Sequence, residues 1–464
     1  MRTRSNPSSI IALAVAATLA GCATPRVEPP PPMSAPAAFK EAPARTASSA
    51  AVPDAWWTLF NDPVLDGLEA RVAVDNENLK SALAAVASAR AALDASRAAF
   101  QPTLDLSAGA SRGKEKPGDA PTNQVSLGAA ASWEPDLWGR LARAREGAAA
   151  QLQASHDDLA AATLSAQALL AQTYFALRTA EAQAALLERT IGADERALAI
   201  TRARHGAGVV PESDVQQAIS QLAGHRAQRV EQQAQRAQLE HAVAVLVGQA
   251  PAAFDLVVNN KLADVPETPD LLPSTLLQRR PDIAAAQQRV AAAYAQIGVA
   301  DAAWFPDITL SANAGVRGSA IAGLLSRSNL LWSAGASLAQ AVFDRGQRQL
   351  QSAQARAAAD QAVAAYRQSV LTSLQEVEDN LVLARALRDE AQHQLQALDA
   401  ARRTLELTLA QYRAGTVGYL DVTSAQTTAL NSESSLLALR NRQLAATNQL
   451  LKNIAGRWSE APRG

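Results

Sequence analysis

The chain is written twice. Phe100-Gln101-Pro102-Thr103-Leu104-Asp105-Leu106-Ser107 returns as Trp304-Phe305-Pro306-Asp307-Ile308-Thr309-Leu310-Ser311, and Asn78-Leu79 returns as Asp282-Ile283, both 204 residues later. Farther along, Gly139 corresponds to Gly346, Gly208 to Gly415 and Asp214 to Asp421, each at a spacing of 207. Spacings held this steadily over most of 464 residues mark two copies of one architecture. Each copy carries two short alternating segments followed by two helical stretches, one of them very long.

The alternating segments limit what the fold can be. Over 103–111, Leu104, Leu106, Ala108 and Ala110 oppose Asp105, Ser107, Gly109 and Ser111. Over 124–134, Val125, Leu127, Ala129, Ala131 and Trp133 form the apolar face. The second copy repeats the pattern over about 307–316 and 331–342, where Trp332, Ala334, Ala336 and Leu338 oppose Ser333, Gly335 and Ser337. Period-two segments of about ten residues have the length of membrane-spanning strands. The small hydroxylated polar faces suit a wet lumen, and Trp133, Trp138, Trp304 and Trp332 lie near strand ends, where interfacial aromatics belong. Four strands cannot close a barrel, and an open edge in lipid costs several kcal/mol per unpaired backbone group. Barrels of this kind need about eight strands or more. Copies of the chain must therefore share one barrel, with eight strands for a twofold ring and twelve for a threefold ring.

The helices set the other dimension. No proline interrupts the chain from Gly139 to about Arg204, and Leu170, Leu177, Ala184, Ile191 and Leu198 recur every seven residues. The stretch from Gly346 to about Tyr412 behaves alike, with Leu398, Leu405 and Tyr412 at the same interval. At 1.5 Å per residue each helix is roughly 100 Å long. Strict sevens predict coiled-coil packing, and the Ala-rich composition allows close approach on more than one side. Each long helix then reverses at a glycine turn. Gly206 and Gly208 end the first, and Pro211, Glu212 and Asp214 open its return helix. The second turn runs Tyr412-Arg413-Ala414-Gly415-Thr416-Val417-Gly418-Tyr419-Leu420-Asp421. A third helical pattern, from about Val64 to Ala99, precedes the first strand.

The N-terminus reads as a secretion signal: Arg2 and Arg4, then an apolar run from Ile10 to Ala20, too short to span comfortably. It closes on Leu19-Ala20-Gly21-Cys22, the pattern of a bacterial lipobox, which makes Cys22 the expected lipidated residue. Cys22 is the only cysteine of the chain. Ala23, standing where an aspartate retains lipoproteins at the inner membrane, points to the outer membrane. The organisation expected is a signal peptide at 1–21, a lipidated cysteine and Pro/Ala-rich linker at 22–53, and a first repeat at 54–254. An equatorial segment at 255–280, a second repeat at 281–456 and a tail at 457–464 complete it.

Signals for chemistry are sparse. A net charge of −1 gives no general attraction to nucleic acid. His156, His205, His225, His241 and His393 have no partner at metal-ligand spacing, so neither catalytic residues nor metal ligands nor a cofactor are expected. Gly206-Ala207-Gly208 reads as a helix stop, not a phosphate cradle.

The lipobox, Trp56-Trp57 to Pro63, Arg280-Pro281-Asp282-Ile283, Trp304-Phe305-Pro306-Asp307-Ile308 and the two glycine turns together resemble TolC-type outer-membrane factors, most closely the NodT/OprM-type efflux lipoproteins. The resemblance implies an α+β membrane protein: a homotrimer with a twelve-stranded transmembrane β-barrel, four strands per protomer. A twelve-helix periplasmic α-barrel with an equatorial belt would continue it. It also implies a periplasmic adaptor and an inner-membrane pump, commonly of the resistance-nodulation-division type, as partners of a passive efflux duct in outer-membrane lipid. The glycine turns would be the periplasmic tip, where the adaptor docks and the pore narrows. Tyr412, Arg413, Gly415, Leu420 and Asp421 match the second tip motif, and Gly206, Gly208, Asp214 and Gly418 complete the expected tip and gate. Many relatives carry an aspartate four residues after the gating leucine; here that position is Ser424. Two other readings are an exit duct for type I secretion and a lipid-anchored coiled-coil adaptor that never spans the membrane.

Overall fold

A computed structural model describes residues 27–34, 36–41, 53–114, 117–118, 120–267 and 279–454. The expected signal peptide, Cys22 and the 457–464 tail lie outside the described residues. Two compact units emerge. Among the described residues, the first comprises those within 27–32, 84–157 and 284–368, the second those within 33–83, 158–283 and 369–454.

The first unit holds a four-stranded antiparallel sheet in the order β1 (Thr103–Gly113), β2 (Thr122–Trp133), β3 (Asp307–Gly318) and β4 (Leu330–Ala339). β1 and β4 are its free edges. Thr103 faces Ser132, Trp133 faces Leu310, and Asp307 faces Ala339. The alternation places Leu104, Leu106, Trp332 and Leu338 at 70, 81, 77 and 65% exposure. Such a surface is costly in water and stable in lipid. The ladder stays tight where β2 meets β3, because a Cβ at Gly315 would stand 2.7 Å from the Leu127 carbonyl oxygen and 2.9 Å from Gly128 Cα. β4 stops at Ala339, short of the 342 expected, because β3 begins at Asp307 and supplies no later partner.

Aromatic and acidic residues hold the chain at the strand ends of this unit. Trp138 stacks on Phe305 at 5.0 Å, and its Nε1 donates to the Pro306 carbonyl at 2.7 Å. The Asp136 carboxylate accepts from the Leu141 and Ala142 amides at the start of α3 (Arg140–Gly206). Asp344 does the same for Gly346 and Arg348 at the start of α6 (Gln347–Ala414). A carboxylate beside exposed helix-start amides is favourable through both hydrogen bonding and the helix dipole.

The second unit holds the lower-numbered helices α1 (Pro63–Asp75) and part of α2 (Glu77–Ala98), the larger parts of α3 and α6, and the return helices α4 (Glu212–Leu246) and α7 (Tyr419–Ile454). α5 (Pro281–Ala302) belongs chiefly to the first unit. The single helical run expected from Val64 to Ala99 is two helices. Asn76 breaks it, its Oδ1 accepting from the Asn78 and Leu79 amides while its Nδ2 donates to the Leu246 carbonyl. The main core gathers Trp56, Phe60, Leu65, Tyr174, Phe175 and Leu444 with their apolar neighbours. Trp56 Nε1 reaches Asn448 Oδ1 at 3.0 Å, and Asn448 Nδ2 reaches the Ala168 carbonyl at 2.8 Å. A buried polar pair satisfied on both sides fixes one packing of these helices.

Beyond Gln249 the described chain carries one short 3-10 turn, Pro251–Ala253, and then runs without helix or strand to 267. A charged network ties it to the helices: Arg178 donates to the Val257 carbonyl, Arg236 to the Leu256 carbonyl, and Glu240 and Glu181 accept from the Leu256 and Asn259 amides. Arg280 is held between Asp282 and Glu376, at 2.7 Å from each, and Asn453. Among the described residues no helix is long and apolar enough to cross a membrane.

Candidate functional site: the paired helical turns

Both long helices end by the same device. Gly208 adopts φ +75° and Gly415 φ +78°, conformations that a side chain would strain. The Val209 amide donates to the Arg204 carbonyl and the Gly208 amide to that of His205. Thr416 bonds to Gln411 and Gly415 to Tyr412 in the same pattern, so each turn is a Schellman motif at the repeat spacing of 207. Gly206 is the last residue of α3 and keeps helical geometry; the left-handed position belongs to Gly208.

The return helices start differently. Asp421 reaches back to the Gly418 amide, Oδ2 accepting at 3.1 Å, which is the return half of a capping box at the start of α7. Its counterpart Asp214 follows Pro211, which has no amide proton to give. Asp214 instead contributes its charge to the first turn of α4.

Between the turns lies a small apolar cluster of Ile191, Leu198, Val215, Leu222, Tyr412 and Tyr419, with Ala218 and Val422. Tyr412 is its hub. The Tyr412 hydroxyl lies 3.3 Å from Thr201 Oγ1, its ring meets Tyr419 edge-on at 5.9 Å, and its carbonyl accepts from Arg204 Nη1 at 2.9 Å. The Arg204 guanidinium also sits over the Tyr412 ring, 4.6 Å from its centre. Arg204 thus joins the end of α3 to the end of α6 through two interactions. The Tyr419 hydroxyl is buried without a hydrogen-bond partner. Burial, then the nearby Asp194, Tyr412 and Asp214, push its pKa up to about 12. Deeper between α3 and α4, His225 Nδ1 and Asp194 Oδ2 meet at 2.6 Å. Burial raises the Asp194 carboxyl, against the lowering effect of His225.

Of the expected gate residues, Leu420 is 62% exposed, and Arg413 and Asp421 are exposed as well. Within the protomer Arg413 and Asp421 do not pair; Asp421 is engaged at Gly418. Arg204, Thr201 and the His225–Asp194 pair escaped the sequence reading. One signal was present: Asp194 and His225 are equidistant from the turn at Val209-Val210, as partners across a helical hairpin must be.

The chain matches the family model described as outer membrane efflux protein over residues 70–249 and 272–456. It is similar to the pyoverdine export outer membrane protein OpmQ of Pseudomonas aeruginosa, 31% identical over 425 residues covering 88% of each chain. With outer membrane protein OprJ of the same organism it is 29% identical, over 97% of this chain and 96% of the relative. Among solved structures, the outer-membrane channel OprN superposes with a TM-score of 0.84 at 29% identity, covering 94% of this chain and all of that one. The open-state Neisseria gonorrhoeae MtrE outer membrane channel superposes at 0.82 and 25% identity, covering 93% and 97%.

Proposed function

This chain belongs to the outer membrane efflux protein family and is an outer-membrane efflux channel, and we propose that three copies form one passive duct served by a periplasmic adaptor and an inner-membrane pump. The observation that carries the ring is the sheet: four strands, two free edges and an apolar face exposed on every strand. In hydrocarbon both edges must be paired, and partners can come only from other copies. Three copies supply twelve strands.

In this reading the pump supplies the energy and the duct only opens. The paired glycine turns are where the adaptor docks, and Leu420 with Arg413 and Asp421 of each copy narrows the pore. An adaptor that binds the splayed tip more tightly than the tapered one shifts the equilibrium towards opening by that difference in affinity. The pump is of the resistance-nodulation-division type, and lipid on Cys22 anchors the N-terminus in the outer membrane. Relatives are named for pyoverdine export and for toluene efflux, which supports small organic molecules as cargo. Replacing Leu420 and Asp421 together by Ala is expected to raise single-channel conductance in planar bilayers; conductance equal to wild type would remove the gate assignment.

A further inference from the structure

The internal repeat carries information about a contact that one chain cannot make. Adding 204 to a residue of β1 and 207 to its partner in β2 converts the pair Thr103–Ser132 into Asp307–Ala339, which is the pair found between β3 and β4. Every pair of the β3·β4 ladder is the image of a β1·β2 pair in this way, from Thr103–Ser132 to Arg112–Asn123, without a slip. The two shifts are those of the sequence repeat itself. The elbows agree: Pro102 and Pro306, before β1 and β3, are 204 apart, and Gly139 and Gly346, after β2 and β4, are 207 apart.

The β2·β3 ladder is the third in-chain pairing, and its image under the same operation has one strand on each of two copies. β2 maps onto β4, and β3 maps onto β1 of the next copy. Resting on the ring reading above, we propose that β4 of one copy pairs antiparallel with β1 of its neighbour in a single register, with Ala336 opposite the partner's Ala110. This is the image of Ala129 opposite Ala314. The pairing would run from Ser333 opposite the partner's Gly113 to Ala339 opposite the partner's Ser107, the image of Ser126–Arg317 to Ser132–Ser311.

Side-chain direction agrees with this register. A slip of one residue would put Trp332, Ala334, Ala336 and Leu338 on the face carrying Ser107, Gly109 and Ser111, turning apolar side chains away from lipid. A slip of two would preserve the faces, and only the repeat excludes it. The image differs in detail at one position. At the place of Gly315, where a Cβ would stand 2.7 Å from the Leu127 carbonyl oxygen, the image has Ser111 opposite Gly335, so the two strands must stand slightly farther apart there than β2 and β3 do. The surface therefore fits one partner, a second copy of this chain rotated by one step of the ring.

Disulfide trapping in outer-membrane vesicles tests this on the full chain. Ala336→Cys with Ala110→Cys, and Ser337→Cys with Gly109→Cys, are adjacent opposed pairs, one of which is the closer, non-hydrogen-bonded kind. Mild oxidation is expected to convert the protomer band to reducible covalent multimers for at least one of them. Ala336→Cys combined with Ala108→Cys or with Arg112→Cys places the sulfurs diagonally, beyond disulfide reach, and is expected to stay monomeric on non-reducing gels. Wild type and the single variants report any bonding through Cys22. Ala129→Cys with Ala314→Cys is the in-chain control, read by loss of free thiol. Multimers from a diagonal pair in place of the opposed ones would overturn the register while leaving the ring intact. Closure of the in-chain control with no multimers from any pair would overturn the ring itself.

Discussion

Replacing Arg204 by Ala removes both interactions that join the ends of the two long helices. Its hydrogen bond to the Tyr412 carbonyl, at 2.9 Å, is charge-assisted and partly buried. Such bonds contribute about 1.5–3 kcal/mol, and the lower end applies because the same carbonyl keeps the Gly415 amide. The guanidinium over the Tyr412 ring adds about 0.5–1 kcal/mol. Together these come to about 2 kcal/mol per copy, or roughly a 30-fold change in the equilibrium between a joined and a parted tip, taking 1.4 kcal/mol per tenfold. Purified channels in planar bilayers give the open probability directly. Arg204→Ala is expected to raise it steeply and Arg204→Lys less. Thr201→Ala, which loses only the 3.3 Å hydroxyl contact, is expected to change it little. If Arg204→Ala channels assembled normally and gated as wild type does, the latch reasoning would be refuted.

Glu69 is fully buried with neither carboxyl oxygen bonded, and burial with the neighbouring Asp66 pushes its pKa up to about 9 from 4.5. A raised folded-state pKa means stability that is complete below 4.5 and is lost as pH rises through about 9. Keeping the proton at pH 7 costs on the order of 3 kcal/mol, so Glu69→Gln is expected to raise the melting temperature at pH 8 and leave it unchanged at pH 4; equal shifts at both would contradict the burial argument. Gly315→Ala should disrupt the β2·β3 ladder and deplete SDS-resistant oligomers, whereas Gly128→Ala, whose nearest neighbour would be 3.6 Å away, should assemble; indistinguishable assembly refutes the close approach. Cys22→Ser should abolish incorporation of labelled palmitate, and retained label would exclude that residue as the anchor.

Much of this was legible because two strong periodicities survive in the sequence. Alternation at Leu104, Leu106, Ala108 and Ala110 defines a strand whatever surrounds it, and Gly208 and Gly415 mark left-handed positions that few other residues adopt comfortably. The break at Asn76 was hidden, because the apolar pattern continues through it and only a side chain competing for backbone amides interrupts the helix. Arg204 was hidden for another reason. Its partner is 208 residues away, and nothing in its own neighbourhood separates it from the many solvated arginines of the long helices. The contact Asp421 makes within the protomer, a local cap on Gly418, was legible as a helix-start carboxylate, whereas any contact across the pore involves other copies. The strand edges are a third case: their partners are on other copies, so the sequence states the need for pairing without identifying the number of copies.

The stoichiometry of the protein released from outer membranes is the most direct check on the account. Native mass spectrometry of the detergent-extracted full chain should give a species of three protomers, with Leu106 and Leu338, replaced by Cys, shielded from water-soluble thiol reagents in vesicles. A single protomer with both positions freely labelled would contradict it.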